Sequence, residues 1–289
     1  MPIAHVNGID IGYVTEGDPA APPLLLVMGL GAQLITWPDR FVSRLADRGF
    51  FVIRYDNRDS GLSTKFDGVP DFVALFGGDA GSATYTIEDM ADDGVALLGE
   101  LGVARAHVVG ASMGGMIMQA MVINHAPRFL SACSIMSTTG DRSVGQPTGE
   151  ALSVLLRPMA STREEAIAAS VAGSQFIGSP AYPADIDVLT TRAGQAYDRC
   201  YCPQGTARQL GAILGSPDRT PGLREVRRPF LVIHGDADPL VTPSGGEATA
   251  AAVPGARLMM LPGMGHDLPE ELWDQIIDAI VANTELATV

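Results

Sequence analysis

Cysteine, positive charge and histidine are all scarce in this chain. Its three cysteines, Cys133, Cys200 and Cys202, leave at least one thiol unpaired, and Cys200 and Cys202 stand too close for a relaxed mutual bridge. A disulfide scaffold is therefore excluded. The spacing fits no zinc pattern, so the sequence offers no metal site, and reduced thiols in a cytoplasmic protein are expected. Lysine and arginine total 19 against 33 acidic residues, a net charge of −14. With no long Lys/Arg cluster to follow a phosphate backbone, nucleic acid and anionic membrane are poor partners. The start of the chain, Met1-Pro-Ile-Ala-His5, has neither the basic region nor the apolar core of a secretory signal. One uncharged stretch, Ala106 to Pro127, is long enough to suggest a membrane span. It contains glycines, Asn124 and His125, and its pattern changes from strand to helix midway, so it reads as buried core.

What remains is a globular composition, 46% hydrophobic and 18% charged. Ile3–Val6 and Ile9–Tyr13 alternate around Asn7-Gly8, a strong hairpin signal. Leu24–Val27, Phe51–Tyr55, Val108–Val109, Phe129–Met136, Phe230–His234 and Ala256–Leu261 read as strands. Helical patterns separate them at Pro38–Arg48, Thr86–Leu101, Met113–His125, Pro243–Ala252 and Pro269–Asn283. Thr86, with Asp89 three residues on, forms a near-capping box. Lys65 to Thr84 is glycine-rich without a clear period and reads as a loop.

From Ser137 to Pro221 the strand–helix rhythm lapses. Helical stretches at Leu152–Met159, Arg163–Ala172, Gln195–Tyr201 and Ala207–Leu214 alternate with breaks at Pro147, Pro180, Pro183 and Pro203. The expected organisation is a core of residues 1–136 and 222–289 with a helical insertion at 137–221. Alternating strands and helices imply a mostly parallel sheet covered on both faces, with its ligand crevice at the carboxyl ends of the strands.

The most informative stretch is Gly110-Ala-Ser112-Met-Gly114-Gly115. A β-branched strand runs into it and a Met/Ile/Ala-rich helix leaves it. A strand turning directly into a helix forces Ser112 into a strained conformation with its hydroxyl exposed, and glycines remove side chains where strand and helix approach. The free N–H groups of the helix end can stabilise an anion. Met28-Gly29-Leu30-Gly31 follows another central strand, so the Leu30 and Met113 N–H groups are the candidate oxyanion donors.

A serine nucleophile needs a base, and the base an orienting acid. Of five histidines, His5 lies in the hairpin, His107 and His125 lie at the far ends of the elbow strand and helix, and His234 ends a strand. His266, in Gly263-Met-Gly265-His266-Asp267, sits in a glycine-rich loop after the last strand and is the candidate base. Asp236 and Asp238 compete for the acid on one loop, and Asp238 lies further beyond the strand end. Asp267 would point away from the ring of its neighbour, and Asp141 is the nearest carboxylate after the Phe129 strand. Asp56–Ser63 reads as a structural loop tied by its own charges. Gly29, Trp37, Met116, Met136 and Met264 are candidate pocket residues; Met116, Met118 and Met121 together suggest an adaptable apolar lining, though at these spacings several must be core.

These residues resemble the α/β-hydrolase superfamily over nearly the whole chain. Gly110–Gly115, His234-Gly-Asp-Ala-Asp238-Pro239 and Gly265-His266 match its three catalytic blocks. Trp37-Pro-Asp and Arg54–Ser63 are similar, more narrowly, to the aclacinomycin methylesterase-like branch of actinobacterial hydrolases. The resemblance implies an α/β-hydrolase fold with an eight-stranded sheet and a helical cap. It also implies carboxylic ester hydrolysis without a cofactor, on a small and apolar substrate. Most relatives carry His-Gly where this chain has Met28-Gly29, so the oxyanion loop lacks one polar anchor. A carbon–carbon bond hydrolase or a cofactor-free perhydrolase would use the same three residues. An acyltransferase would need an acceptor pocket, and a non-catalytic ligand-binding member would have no need of them.

Overall fold

The computed structural model describes residues 1–155 and 159–287. In chain order the elements are β1 (Ile3–Val6), β2 (Ile9–Glu16), β3 (Pro23–Val27), α1 (Asp39–Asp47), β4 (Phe51–Tyr55) and α2 (Phe72–Phe76). They continue with α3 (Ile87–Glu100), β5 (Ala106–Ala111), α4 (Met113–Asn124), β6 (Phe129–Ile135), α5 (Gly149–Leu155), α6 (Arg163–Ile177) and α7 (Ile186–Arg199). The last are α8 (Pro203–Gly215), α9 (Thr220–Leu223), β7 (Phe230–Gly235), α10 (Pro243–Ala252), β8 (Arg257–Leu261) and α11 (Trp273–Thr284).

Asn7 and Gly8 both have positive φ, 51° and 77°, the paired left-handed turn that suits the right-handed twist of a β-hairpin. The hairpin it closes forms the edge of an eight-stranded sheet of order β1-β2-β4-β3-β5-β6-β7-β8. The first two pairings are antiparallel and the rest parallel. β5 and β7 are buried along their whole length, as expected of strands covered on both faces. One apolar layer joins the sheet to α3, α4 and the end of α10; the other joins it to α1 and α11. Sequential order reverses around β3, which lies between β4 and β5. The carboxyl ends of β3 and β5, where the chains leave in opposite directions, are therefore the place where such a sheet holds its ligand crevice.

The core elements match their sequence patterns to within a few residues. α3 begins with a complete capping box: Thr86 accepts from the Asp89 N–H and Asp89 accepts from the Thr86 N–H. Between β6 and β7 the described residues form helices only. The helix expected at Leu152–Met159 is described as far as Leu155; residues 156–158 lie outside the described ones. α7 starts nine residues before the expected Gln195. Asp185 caps it by accepting from the Asp187 N–H, a start that its mixed polar sequence hides. Pro203, expected to break a helix, opens α8 at its first turn, where its missing N–H has no partner to lose.

Residues 65–84, expected to be loop, contain α2 and a short 3-10 turn at Ala80–Ser82. α2 is too short to show a helical period. Asp71 caps it, and Leu75 is buried against Gly211 and Gly215 of α8, a tertiary contact no local pattern reveals. No helix among the described residues is long and apolar enough to cross a membrane.

Candidate active site

The turn from β5 into α4 carries strain at Ser112, which has φ 55° and ψ −122°, unfavourable for any residue with a Cβ. Two glycines make the turn possible by close approach. A Cβ on Gly110 would lie 2.1 Å from the Gly114 carbonyl oxygen, and one on Gly114 would lie 2.1 Å from the Val27 carbonyl oxygen. The first contact presses strand against helix. The second presses the helix start against the end of β3, so the loop after β3 lies beside the serine.

The Ser112 hydroxyl is 3.0 Å from His266 Nε2, and His266 Nδ1 is 2.7 Å from Asp238 Oδ2. A proton on Nδ1 satisfies the carboxylate and leaves Nε2 free to accept from the serine. Asp238 is fixed in turn, because its Oδ1 accepts from the Leu240 and Val241 N–H groups at 2.8 and 2.9 Å. The His266 loop is held by the end of α6. The His266 N–H donates to the Ile177 carbonyl at 2.7 Å, and the Gly265 N–H to Ser179 Oγ at 2.9 Å.

The rival groups have other employment. Asp236 Oδ1 accepts from the Gly263 N–H at 2.6 Å and ties the two loops together. Asp267 bonds the Ser179 hydroxyl, and burial raises its carboxyl above the usual range. His5 and His125 pair with Asp10 and Asp92. His107 contacts Ser131 Oγ, and burial lowers its imidazole to about 4. His234 Nε2 meets the Val241 carbonyl at 2.8 Å, and burial lowers this imidazole too.

Beside the serine, the Leu30 and Met113 N–H groups have no hydrogen-bond partner among the described residues. A Cβ on Gly29 would lie 3.1 Å from Ser112 Cβ, which measures how closely this loop approaches. Met116 and Met136 keep a small exposed fraction. Trp37 and Met264, expected in the pocket, keep none. Trp37 stacks on Phe41 at 5.9 Å between ring centres, inside the layer formed by α1 and α11, and Met264 packs in the same layer. Both are packing residues: their apolar bulk finds more contact in the core than at an open crevice. Met118 and Met121 are likewise fully buried. Among the described residues no group of three His, Cys, Asp or Glu side chains could hold a metal ion.

Sequence reasoning missed the partners of the loop after β4. Asp56 meets Arg199 of α7 at 2.6 Å, Asp59 meets Arg208 of α8 at 2.8 Å, and Arg58 meets Asp93 of α3 at 2.7 Å. Charges in a buried loop signalled that partners must exist, but those partners lie far along the chain.

The model of the alpha/beta hydrolase family matches residues 24–279. Two rhodomycin D methylesterases align with the chain over their full length and its own. The one from Streptomyces sp. (strain C5) is 32% identical and the one from Streptomyces peucetius is 30% identical. Among solved structures, the enol-lactonase from Burkholderia xenovorans LB400 superposes with a TM-score of 0.78 at 26% identity, covering 98% of this chain and 100% of that one.

Proposed function

The chain belongs to the alpha/beta hydrolase family, and from that premise we propose that it is a serine hydrolase of carboxylic esters, of the methylesterase type. The observation that carries this reading is the unbroken line of hydrogen bonds from Ser112 Oγ through His266 to Asp238. Ser112 Oγ attacks the ester carbonyl while His266 Nε2 takes its proton. Asp238 holds the ring in the tautomer this requires and stabilises the imidazolium that forms. The carbonyl oxygen becomes an oxyanion and is met by the Leu30 and Met113 N–H groups. His266 returns the proton to the alkoxide, the C–O bond breaks and the alcohol leaves. Water then attacks the acyl-serine, again through His266, and releases the acid.

Each proton in this cycle moves between the substrate, water and these three side chains, so the reaction calls for no cofactor. The helical insertion at 137–221 serves as the cap. The end of α6 touches the His266 loop, and α8 touches the loop after β3, so the insertion borders the reacting atoms on two sides. The methylesterase relatives support a small-molecule carboxylic ester as the substrate.

The test is p-nitrophenyl butyrate hydrolysis by the wild type and by Ser112→Ala, with fluorophosphonate labelling followed by mass spectrometry. Turnover and a single label on Ser112, both lost in the variant, are expected. A Ser112→Ala variant with normal turnover would overturn the assignment.

A further inference from the structure

The loop that carries Leu30 has no polar side chain of its own next to the serine, since Met28, Gly29, Leu30 and Gly31 supply none. It is nevertheless fixed on both flanks by buried amide side chains. Asn57 Nδ2, from the loop after β4, donates to the Met28 carbonyl at 2.8 Å. On the other flank the Gly31 N–H donates to Gln209 Oε1 at 2.7 Å. Gln209 lies on α8 and has no exposed surface. Its Nε2 donates to the Arg58 carbonyl at 2.7 Å and to Ser60 Oγ at 3.1 Å. One amide thus spans the loop after β3 and the loop after β4. The adjacent Arg208 fixes α8 to Asp59 through two bonds of 2.8 Å.

We propose that Gln209 is a positioning residue for the oxyanion loop. By holding the Gly31 N–H, it aims the neighbouring Leu30 N–H at the space beside Ser112. The inference rests on the serine-hydrolase reading given above. Its physical basis is that an oxyanion donor acts only if it is already oriented when charge develops. Consecutive peptide planes share a Cα, so fixing the Gly31 N–H limits rotation of the Leu30–Gly31 peptide and, through Leu30, of the Gly29–Leu30 peptide that carries the Leu30 N–H. Gly31 has φ 66° and would otherwise be free in this respect. The insertion therefore completes the donor geometry as well as covering the crevice, and α8 undocked from the loop after β4 would leave a weak catalyst.

Two variants separate this role from mere packing. Gln209→Met keeps the length and removes both polar functions. Gln209→Glu keeps an acceptor oxygen for the Gly31 N–H and alters the side facing Arg58. With p-nitrophenyl butyrate, Gln209→Met should lower kcat by roughly 10- to 100-fold, with KM unchanged within about two-fold, as expected when a transition-state donor is misaligned. Gln209→Glu, which keeps the acceptor for Gly31 and loses the donor to the Arg58 carbonyl, should recover part of that kcat. Equal losses in both variants, or a loss confined to KM, would overturn the proposal.

Amide hydrogen exchange followed by NMR on the wild type and on both variants is the independent arm. The Gly31 amide should exchange slowly in the wild type and the Leu30 amide quickly. The Gly31 amide should become fast in Gln209→Met and stay slow in Gln209→Glu. A Gly31 amide that exchanges freely in the wild type refutes the proposal even if Gln209→Met fails to fold. If the wild type hydrolyses no ester, the hydrolase reading fails, and exchange at Gly31 still decides whether Gln209 orders the loop.

Discussion

Arg208 and Asp59 face each other through two parallel bonds of 2.8 Å, Nε to Oδ2 and Nη2 to Oδ1, with both side chains buried. The pair joins α8 to the loop after β4. Asp59 also accepts from the Tyr85 hydroxyl at 2.7 Å and the Phe66 N–H at 2.8 Å, so its carboxylate is saturated. Three residues earlier, Asp56 does the same for Arg199 of α7. Two carboxylates on the loop after β4 thus hold two consecutive helices of the segment between β6 and β7.

Removing one partner of such a pair leaves an uncompensated buried charge. Arg208→Leu should destabilise the protein by about 3–5 kcal/mol in urea denaturation. Arg208→Lys should restore only part of this, because an ammonium cannot reproduce the two-pronged contact. A loss below about 1 kcal/mol in Arg208→Leu would mean that solvent reaches Asp59.

Strain at Ser112 separates two inactive variants. Ser112→Ala keeps the Cβ that makes a φ of 55° unfavourable; Ser112→Gly keeps the turn and removes that Cβ. The glycine variant should be the more stable of the two by about 1–2 kcal/mol in thermal or urea unfolding. Equal stabilities would show that the turn carries little strain.

The two acidic residues of the loop after β7 should behave differently. Asp238→Asn, at the carboxylate that holds His266, should lower kcat by about 10⁴-fold, because the imidazole then favours the wrong tautomer. Among the described residues the Asp236 carboxylate meets only the Gly263 N–H, so Asp236→Asn should leave kcat within about three-fold of wild type, at a stability cost of at most about 1 kcal/mol. Kinetics with p-nitrophenyl butyrate distinguish the pair, and the reverse ranking would exchange their roles.

Burial lowers the His107 imidazole from its ordinary 6.5 to about 4 and lowers His234 in the same direction. Between these pH values the unfolded chain binds a proton that the folded chain refuses. The associated stability is present above pH 6.5 and is lost as pH falls toward 4. For His107 alone the loss is at most about 3 kcal/mol, less whatever solvent screens. Denaturant unfolding at pH 7, 5 and 4 should show this fall, and His107→Gln should make it shallower. A variant with an unchanged acid slope would assign the fall to other groups.

Much of the architecture was legible in the residues themselves. Local periodicity marked each core strand and helix, because those segments bury one face or both and their composition must follow. Glycine marked the elbow, because a Cβ at Gly110 or Gly114 would meet backbone at 2.1 Å. The order of serine, acid and histidine along the chain pointed to Ser112, Asp238 and His266, which three separate strand ends then bring within hydrogen-bond reach. Trp37 and Met264, expected in the pocket, have no exposed surface and pack in the core layer, and an apolar side chain beside a crevice motif looks the same in sequence whether it faces the crevice or the core.

The sequence alone therefore determined what is governed by short-range rules: the strands, the helices, the strained turn and the types of the three aligned side chains. Only the tertiary structure decided what depends on partners distant in the chain. Gln209 reaches Gly31 across 178 residues of sequence, and Arg208 reaches Asp59 across 149. A buried polar group must find a partner, but its own sequence neighbourhood does not name that partner. The packing of α8 against the loops after β3 and β4 supplies it.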